Sequence, residues 1–340
     1  MTRCLESVRV LLRGLCTLAV TLTALVFATF ALSSLSPIDP ALQLLGDHAS
    51  SSSYIQARHE LGLDVPWPRQ FAHYLIGVAH GDLGTSRSTG QAVREDLERL
   101  FPATFELATL AVIVAAFAGI ALAVLSARRP NGPIDSLVRI TSIVGNSIPV
   151  FWLGLIALFV FYARLHWTGG AGRLGDAFEY TMEMKTGLVL VDAWRSAEPG
   201  AFRDAVAHLV LPVLILAAYA LGNVTRLTRA VLLGEARKEY VMAARAKGAT
   251  EARILWRHVM PNARGIILTV LALTYGNLLE GAVLIETVFA RPGLGRYLTT
   301  ALFEADMPAI LGAILVIGTC FVAINGLTDV VVKLLDPRTS

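Results

Sequence analysis

The chain has 340 residues, 55% of them hydrophobic and 16% charged, with a net charge of +3 and a mean hydropathy of +0.60. That is too apolar for an ordinary water-soluble protein of this length. The composition is that of an integral membrane protein without a nucleic-acid partner, in which the placement of charge matters more than its sum. Cys4, Cys16 and Cys320 lie in the N-terminal tail, the first apolar run and the last, which suits neither a disulfide framework nor a metal knuckle.

Arg3, Arg9 and Arg13 precede an apolar run of spanning length, Gly14 to Leu35. A cleaved signal peptide would have a shorter apolar region followed by a small-x-small site, so residues 1–35 read as an internal tail and a retained anchor. Residues 36–106 then fall outside. They are polar to Phe101, with a helical stretch around Tyr54 to Leu61, and predict an extracytoplasmic helical cap. Leu107 to Leu125 is the second span, with Pro102 and Glu106 at its outer mouth. Arg128, Arg129 and Arg139 mark the loop Ala127 to Arg139 as internal.

The third span, Ile140 to Tyr162, is interrupted by Asn146, Ser147 and Pro149. Proline inside a spanning helix leaves carbonyls unpaired, so the break should face protein or an aqueous pathway. Arg164 to Val206 is a second outer segment. Leu209 to Leu227 is the fourth span, opening with His208 and Pro212 and closing at Arg226 and Arg229.

A strongly basic stretch follows, from Glu235 to Asn262. Alanine, glutamate, arginine and methionine predict a helix over Glu235 to Lys247, with Ala236, Tyr240, Ala243, Ala244 and Lys247 on one face. Gly248 ends it, Thr250 and Glu251 cap a second short helix, and Pro261 is expected to close that one. Arg237, Lys238, Arg245, Lys247, Arg253, Arg257 and Arg264 outnumber Glu235, Glu239 and Glu251, which places the loop in the cytoplasm. Gly265 to Phe289 spans outward, Ala290 to Pro308 is expected to be a short outer turn, and Ile310 to Val332 returns. Six spans with both termini cytoplasmic follow. Asn277, Glu280, Glu286, Asn325 and Asp329 lie in the last two. Ionisable groups at such depth are costly, so they are candidates either for a pathway or for interhelical hydrogen bonds. Glu286, near the outer end, suits both readings equally. Glu280 has no evident cationic partner in the apolar sequence around it.

The basic stretch resembles the docking loop of ABC-importer permeases. Ala243, Ala244, Gly248 and Pro261 match the general pattern, with Met242 in place of its leading glutamate and His258 in place of its isoleucine. The variant in the peptide and nickel branch is matched more closely, by Tyr240, Val241, Ala244, Arg245, Ala246, Lys247, Gly248, His258 and Asn262. Leu61-Gly62-Leu63-Asp64 with Pro66, Gln70-Phe71, Tyr74-Leu75 and Gly81-Asp82-Leu83-Gly84 with Ser86 resemble the outer signature of dipeptide and oligopeptide permeases. Glu286-Thr287-Val288-Phe289 followed by Pro292-Gly293-Leu294-Gly295 resembles that branch as well.

The resemblance implies an all-α, six-span, type I (MetI-like) permease core over residues 107–340, with an extra N-terminal helix and the cap, in the bacterial inner membrane. It implies that Tyr240, Ala243, Ala244, Arg245, Lys247, Gly248, Arg253, His258 and Pro261 contact an ATPase. Asn146, Ser147, Pro149, Asn277, Glu280 and Asn325 are the candidates for the pathway. The implied partners are a homologous second permease, one or two cytoplasmic ABC ATPase subunits, an extracytoplasmic substrate-binding protein and membrane lipid. ATP and magnesium would belong to the ATPases: no G-x-x-x-x-G-K-[S/T] motif occurs here, so no catalysis or cofactor is expected of this chain. The seven histidines are scattered and His-Glu-x-x-His is absent, so no resident metal is expected, although a nickel or metal-chelate cargo stays open. A self-sufficient, ion-driven transporter is the rival from another class. It would be expected to show paired broken helices, and the sequence has one strongly broken span.

Overall fold

A computed structural model describes residues 18–32, 40–45, 50–60 and 62–335. The basic N-terminal tail, Cys4, Cys16 and the last five residues lie outside these. The described residues form helices joined by turns, and they divide into two compact units, one drawn from residues 1–101 and 293–322 and the other from 102–292 and 323–340.

The first unit contains α1 (Leu18–Leu32), α2 (Pro40–Leu45), α3 (Ser51–Glu60), α4 (Trp67–Ala79), the opening turns of α5 (Val93–Arg128), α14 (Leu294–Phe303) and the first half of α15 (Met307–Leu335). Phe27 and Phe30 of α1 meet Phe71 of α4. Its apolar core packs Val93 and Leu97 of α5 against Leu294, Tyr297 and Ala301 of α14 and Ala309, Ile310 and Ala313 of α15. The sequence reading of residues 290–308 as a turn is corrected here. Leu294, Tyr297, Leu298 and Ala301 recur at helical spacing, and the ten-residue helix α14 forms because that stripe has a core to cover.

The glycine-rich segment before α5 is an anchored loop. Gly84 has φ +83°, and a Cβ there would lie 3.3 Å from Pro308. Ser86 Oγ (2.7 Å), the Arg87 amide (2.7 Å), the Ser88 amide (3.1 Å) and Ser88 Oγ (3.2 Å) all donate to one oxygen of Asp306. Asp306 is fully buried, and its other oxygen accepts from the Ala309 amide, capping α15.

The second unit holds the rest of α5 and α15 together with α6 (Pro133–Ser147), α7 (Val150–Ala157, continuing as a π-turn over Leu158–Arg164), α8 (Asp176–Glu179), α9 (Val189–Arg195), α10 (Ala201–Glu235), α11 (Glu239–Ala246), α12 (Glu251–Ile254, continuing as a π-turn over Leu255–Val259) and α13 (Met260–Val288). The helix axes of α5, α10 and α13 approach closely because glycines line the contacts. A Cβ on Gly119 would lie 2.7 Å from Val224, and one on Gly281 would lie 2.9 Å from Leu216.

Among the described residues four helices are long and apolar enough to cross a membrane: Val93–Arg128, Ala201–Glu235, Glu251–Val288 and Met307–Leu335. The chain is therefore a multi-pass helical membrane protein. Leu18–Leu32 and Val150–Arg164 are shorter apolar helices. The second is short for the reason expected from Pro149: α6 stops at Ser147, Ile148 is extended and α7 begins afresh at Val150. Pro102 and Pro212, by contrast, lie inside α5 and α10 without ending them.

Asp306→Ala leaves four donors of the 86–88 loop without their acceptor and removes the α15 cap. A loss of about 3 kcal/mol in stability is expected, read as a lower thermal midpoint of the detergent-solubilised chain, with faster proteolysis at Arg87.

Candidate functional site

The basic stretch begins one element later than its composition suggests. α10 runs unbroken to Glu235, so that residue closes a spanning helix, and α11 covers only Glu239–Ala246. Glu235 is buried and accepts from Tyr240 Oη at 2.7 Å and Lys238 Nζ at 2.7 Å, which folds the chain back at the turn. Tyr240 Oη also lies 3.3 Å from the His258 carbonyl, to which Asn262 Nδ2 donates at 2.6 Å. Burial, and then the Glu235 carboxylate, push the Tyr240 phenol up to about 12.

Gly248 ends α11 as expected. Its φ is +80° and nothing lies within 4 Å of a Cβ built on it, so backbone conformation, not space, is what demands glycine. Thr250 Oγ1 accepts from the Arg253 amide at 3.4 Å and caps α12. Arg245 and Glu251 pair through two bonds of 2.7 and 3.0 Å across the turn. The hydrogen bond from Arg245 holds the Glu251 carboxyl below its usual range.

Pro261 does not close the second helix. It stands just past the π-turn Leu255–Val259, whose wider winding accommodates the missing amide donor and carries α12 straight into α13. The two form a single helix of 38 residues, Glu251–Val288, about 57 Å long.

The loop has two faces. Val241, Ile254 and Val259 are buried against Ala123 and Val124 of α5, Leu232 of α10, and Ala263 and Ile267 of α13. Ala244 packs on the same cluster, whereas Tyr240, Met242, Ala243, Arg245, Lys247, Gly248, Arg253 and Trp256 are exposed. The alanine pair is thus divided, Ala244 inward and Ala243 outward. A cleft of about 320 Å³ runs beside the loop, lined in part by Arg128, Arg129, Leu232, Arg245 and Glu251.

Under the loop lies an ion-pair knot that sequence reading missed. Asp135 of α6 is fully buried and accepts from Ser126 Oγ of α5, from Arg229 Nε (2.6 Å) and Nη2 (2.8 Å) of α10, and from the Asn131 amide (2.9 Å). The Arg229 guanidinium holds this carboxyl far below the usual range. Arg229 was visible in the sequence as a mark of the inner end of the fourth span. The acceptor was not, because an aspartate two residues past a proline reads as ordinary loop chemistry.

At the opposite end of the same unit, Glu106 of α5 accepts from the Val189 and Leu190 amides at the start of α9, at 3.0 and 2.9 Å. Arg291, fully buried, brings Nη2 to 3.5 Å from Glu106. Burial and the neighbouring Arg173 push its guanidinium down to about 10. Glu286 is fully buried and accepts from Thr104 Oγ1 at 2.6 Å, an interhelical hydrogen bond between α13 and α5.

The remaining polar candidates differ in exposure. Asn277 and Glu280 are exposed on α13, while Asn325 is half-buried and Asp329 exposed on α15. Ser147 donates back to the Ile143 carbonyl at 2.9 Å and Pro149 is exposed. The Asn146 side chain lies outside the described residues. Among the described residues no group of three or more His, Cys, Asp or Glu side chains is assembled to hold a metal ion.

The family described as binding-protein-dependent transport system inner membrane component matches residues 119–340, and its N-terminal counterpart matches residues 7–108. The chain belongs to this family. It is 43% identical over 310 residues, 91% of each chain, to the probable D,D-dipeptide transport system permease protein DdpB of Escherichia coli K12. It is 39% identical to the di/tripeptide transport system permease protein DppB of Pseudomonas aeruginosa UCBPP-PA14, covering 91% of this chain and 92% of that one. Identity to the dipeptide transport system permease protein DppB of Escherichia coli K12 is 36%, over 96% and 97%. The region matched by the first family description contains the whole of the loop and of the Asp135 knot's α6 and α10 partners.

The Asp135 carboxyl titrates lower in the folded chain than in the unfolded one. Its contribution to stability is therefore complete above the ordinary carboxylate range and is lost as pH falls below about 4. Thermal unfolding of the solubilised chain should be insensitive to this group between about pH 7 and 5 and should fall off in acid. Asp135→Ala should cost about 3 kcal/mol at neutral pH, by leaving Arg229 unpaired, and should make the acid limb shallower.

Proposed function

We propose that the chain is the permease subunit of an ATP-driven importer of dipeptides and oligopeptides in the bacterial inner membrane. It has six spans over residues 14–335, an outer cap from residues 36–106, and cytoplasmic termini. The names of its relatives support a peptide cargo, and nothing in the described residues favours a metal chelate. An ion-driven transporter would call for paired broken helices; α6–α7 is the single span split by a proline among those described.

The observation that carries the reading is the two-faced loop continuous with α13. A cytoplasmic ATPase would hold the exposed face, Tyr240, Ala243, Arg245, Lys247, Gly248 and Arg253, in a helix-in-groove contact. Ala244 would act from behind, by seating α11 on the cluster beneath it, while His258 and the exposed Pro261 border the same face at the start of α13. ATP and magnesium reside in that partner. Its closure pushes on α12, and because α12 and α13 are one helix the displacement is delivered along the span. A second, homologous permease completes the pathway. Asn146, Ser147, Pro149, Asn277, Glu280 and Asn325 line it, and an extracytoplasmic binding protein supplies the cargo.

ATP hydrolysis by the assembly co-purified through a tag on this chain should rise when loaded binding protein is added. Gly248→Val forces a β-branched side chain into the left-handed region at a cost of about 1–2 kcal/mol. It should reduce the stimulated rate at least tenfold while membrane insertion is unchanged. Ala243→Arg, on the exposed face, should act likewise with no loss of thermal stability. Normal coupled uptake in both variants would count against the docking assignment.

A further inference from the structure

α13 carries one exposed stripe along its length. Ile266, Leu273, Asn277, Glu280 and Leu284 are exposed at helical spacing, while Val270, Thr274, Leu278, Gly281 and Ile285 behind them are buried against the second unit. Toward both ends the stripe carries aliphatic side chains together with Thr269 and Thr287, whose hydroxyls donate back to the Gly265 and Val283 carbonyls, and its middle carries the amide and the carboxylate. Glu280 lies about 14 Å along the helix from Phe289 and about 22 Å from Gly265, well inside the apolar stretch. No described residue pairs with it, in contrast to Glu286 six positions later, which is buried on Thr104.

A carboxylate at such depth cannot face hydrocarbon without severe cost, so this face of α13 must look onto water or onto an opposite charge. Asn277 is one turn away, with the two side chains about 5–6 Å apart at their bases. A carboxylate and an amide oxygen at that spacing suit a primary ammonium, which has three donors and needs several acceptors once it leaves water. The flanking aliphatic side chains suit apolar groups on either side of that charge.

We infer that Glu280 and Asn277 form a cation station on a water-accessible face of α13 that receives the protonated amino terminus of a peptide in transit. This deepens the reading of the chain as a peptide permease and rests on it for the identity of the cargo. The cation preference itself rests only on the stripe. The helix that bears the station also bears Arg253 of the basic loop, about 40 Å away along the same axis. A push on α12 therefore moves the station as well.

The test uses the assembled complex in membrane vesicles, with Cys4, Cys16 and Cys320 replaced by serine. Single cysteines at positions 273, 277 and 284 should react with water-soluble thiol reagents, and a cysteine at the buried position 278 should not. Leu273→Cys and Leu284→Cys report access, and Asn277→Cys reports charge. The cysteine at 277 should react at least about threefold faster with a cationic reagent than with an anionic one of equal size. The preference should vanish with Glu280→Gln and persist with Glu280→Asp. Unreactive stripe positions, or equal rates for the two reagents while Glu280 is present, would overturn the inference.

In a second arm, uptake of a dipeptide with a free amino terminus should fall about tenfold in Glu280→Gln relative to its N-acetylated counterpart, with partial recovery in Glu280→Asp. Equal uptake in wild type and Glu280→Gln would overturn the station and leave the peptide reading intact. If the wild-type complex imports neither peptide, the peptide reading fails, and the labelling arm alone decides whether a cation station exists.

Discussion

Val241, Ile254 and Val259 are the contacts on which the shape of the basic loop depends. A basic loop of this length in water would have no reason to hold one shape, since short helices are marginal without packing. Here three buried aliphatic side chains seat the loop on α5, α10 and α13. Glu235 and Tyr240 fasten its first turn, and the Arg245–Glu251 pair closes its second. The exposed half is presented in a fixed geometry because the other half is committed to apolar burial. The exposed ion pairs, Arg245–Glu251 included, span the turns but add little to that rigidity, which the buried aliphatic side chains supply.

A second consequence follows from the π-turn. Had Pro261 ended the second helix, a flexible joint would separate the loop from the membrane, and a push on α12 would be absorbed there. The wider turn over Leu255–Val259 admits the proline without a break. The 38-residue helix that results joins the loop to the polar centre of α13 as one stiff body. Close glycine contacts with α10 let that body lie against its neighbour with little intervening side-chain volume.

The carboxylates divide into two kinds. Asp135, Glu106, Glu286 and Asp306 each have donors and lie out of water, so they hold helices and loops in register. Glu280 is exposed and unpaired among the described residues, on a helix whose other faces are packed. Glu286 and Glu280 show this difference within two turns of one helix.

The sequence by itself determined the apolar runs, the break at Pro149, the left-handed turn at Gly248, the Thr250 cap and the family likeness. Each of these is written in local chemistry: hydropathy over a window, a missing amide donor, a residue without Cβ, a hydroxyl at the right offset. It misplaced what depends on partners distant in the chain. Helix α14 was hidden because its apolar stripe makes sense only with α5 and α15 to cover it. The extent of α10 through Glu235 was hidden because its terminal carboxylate is stabilised by Tyr240 and Lys238 beyond the turn. Only the tertiary structure decided that Ala243 faces out and Ala244 in, and that Glu286 is satisfied while Glu280 is not. Which side of a helix is covered is a property of its neighbours, and a helix's own residues specify only that two sides exist.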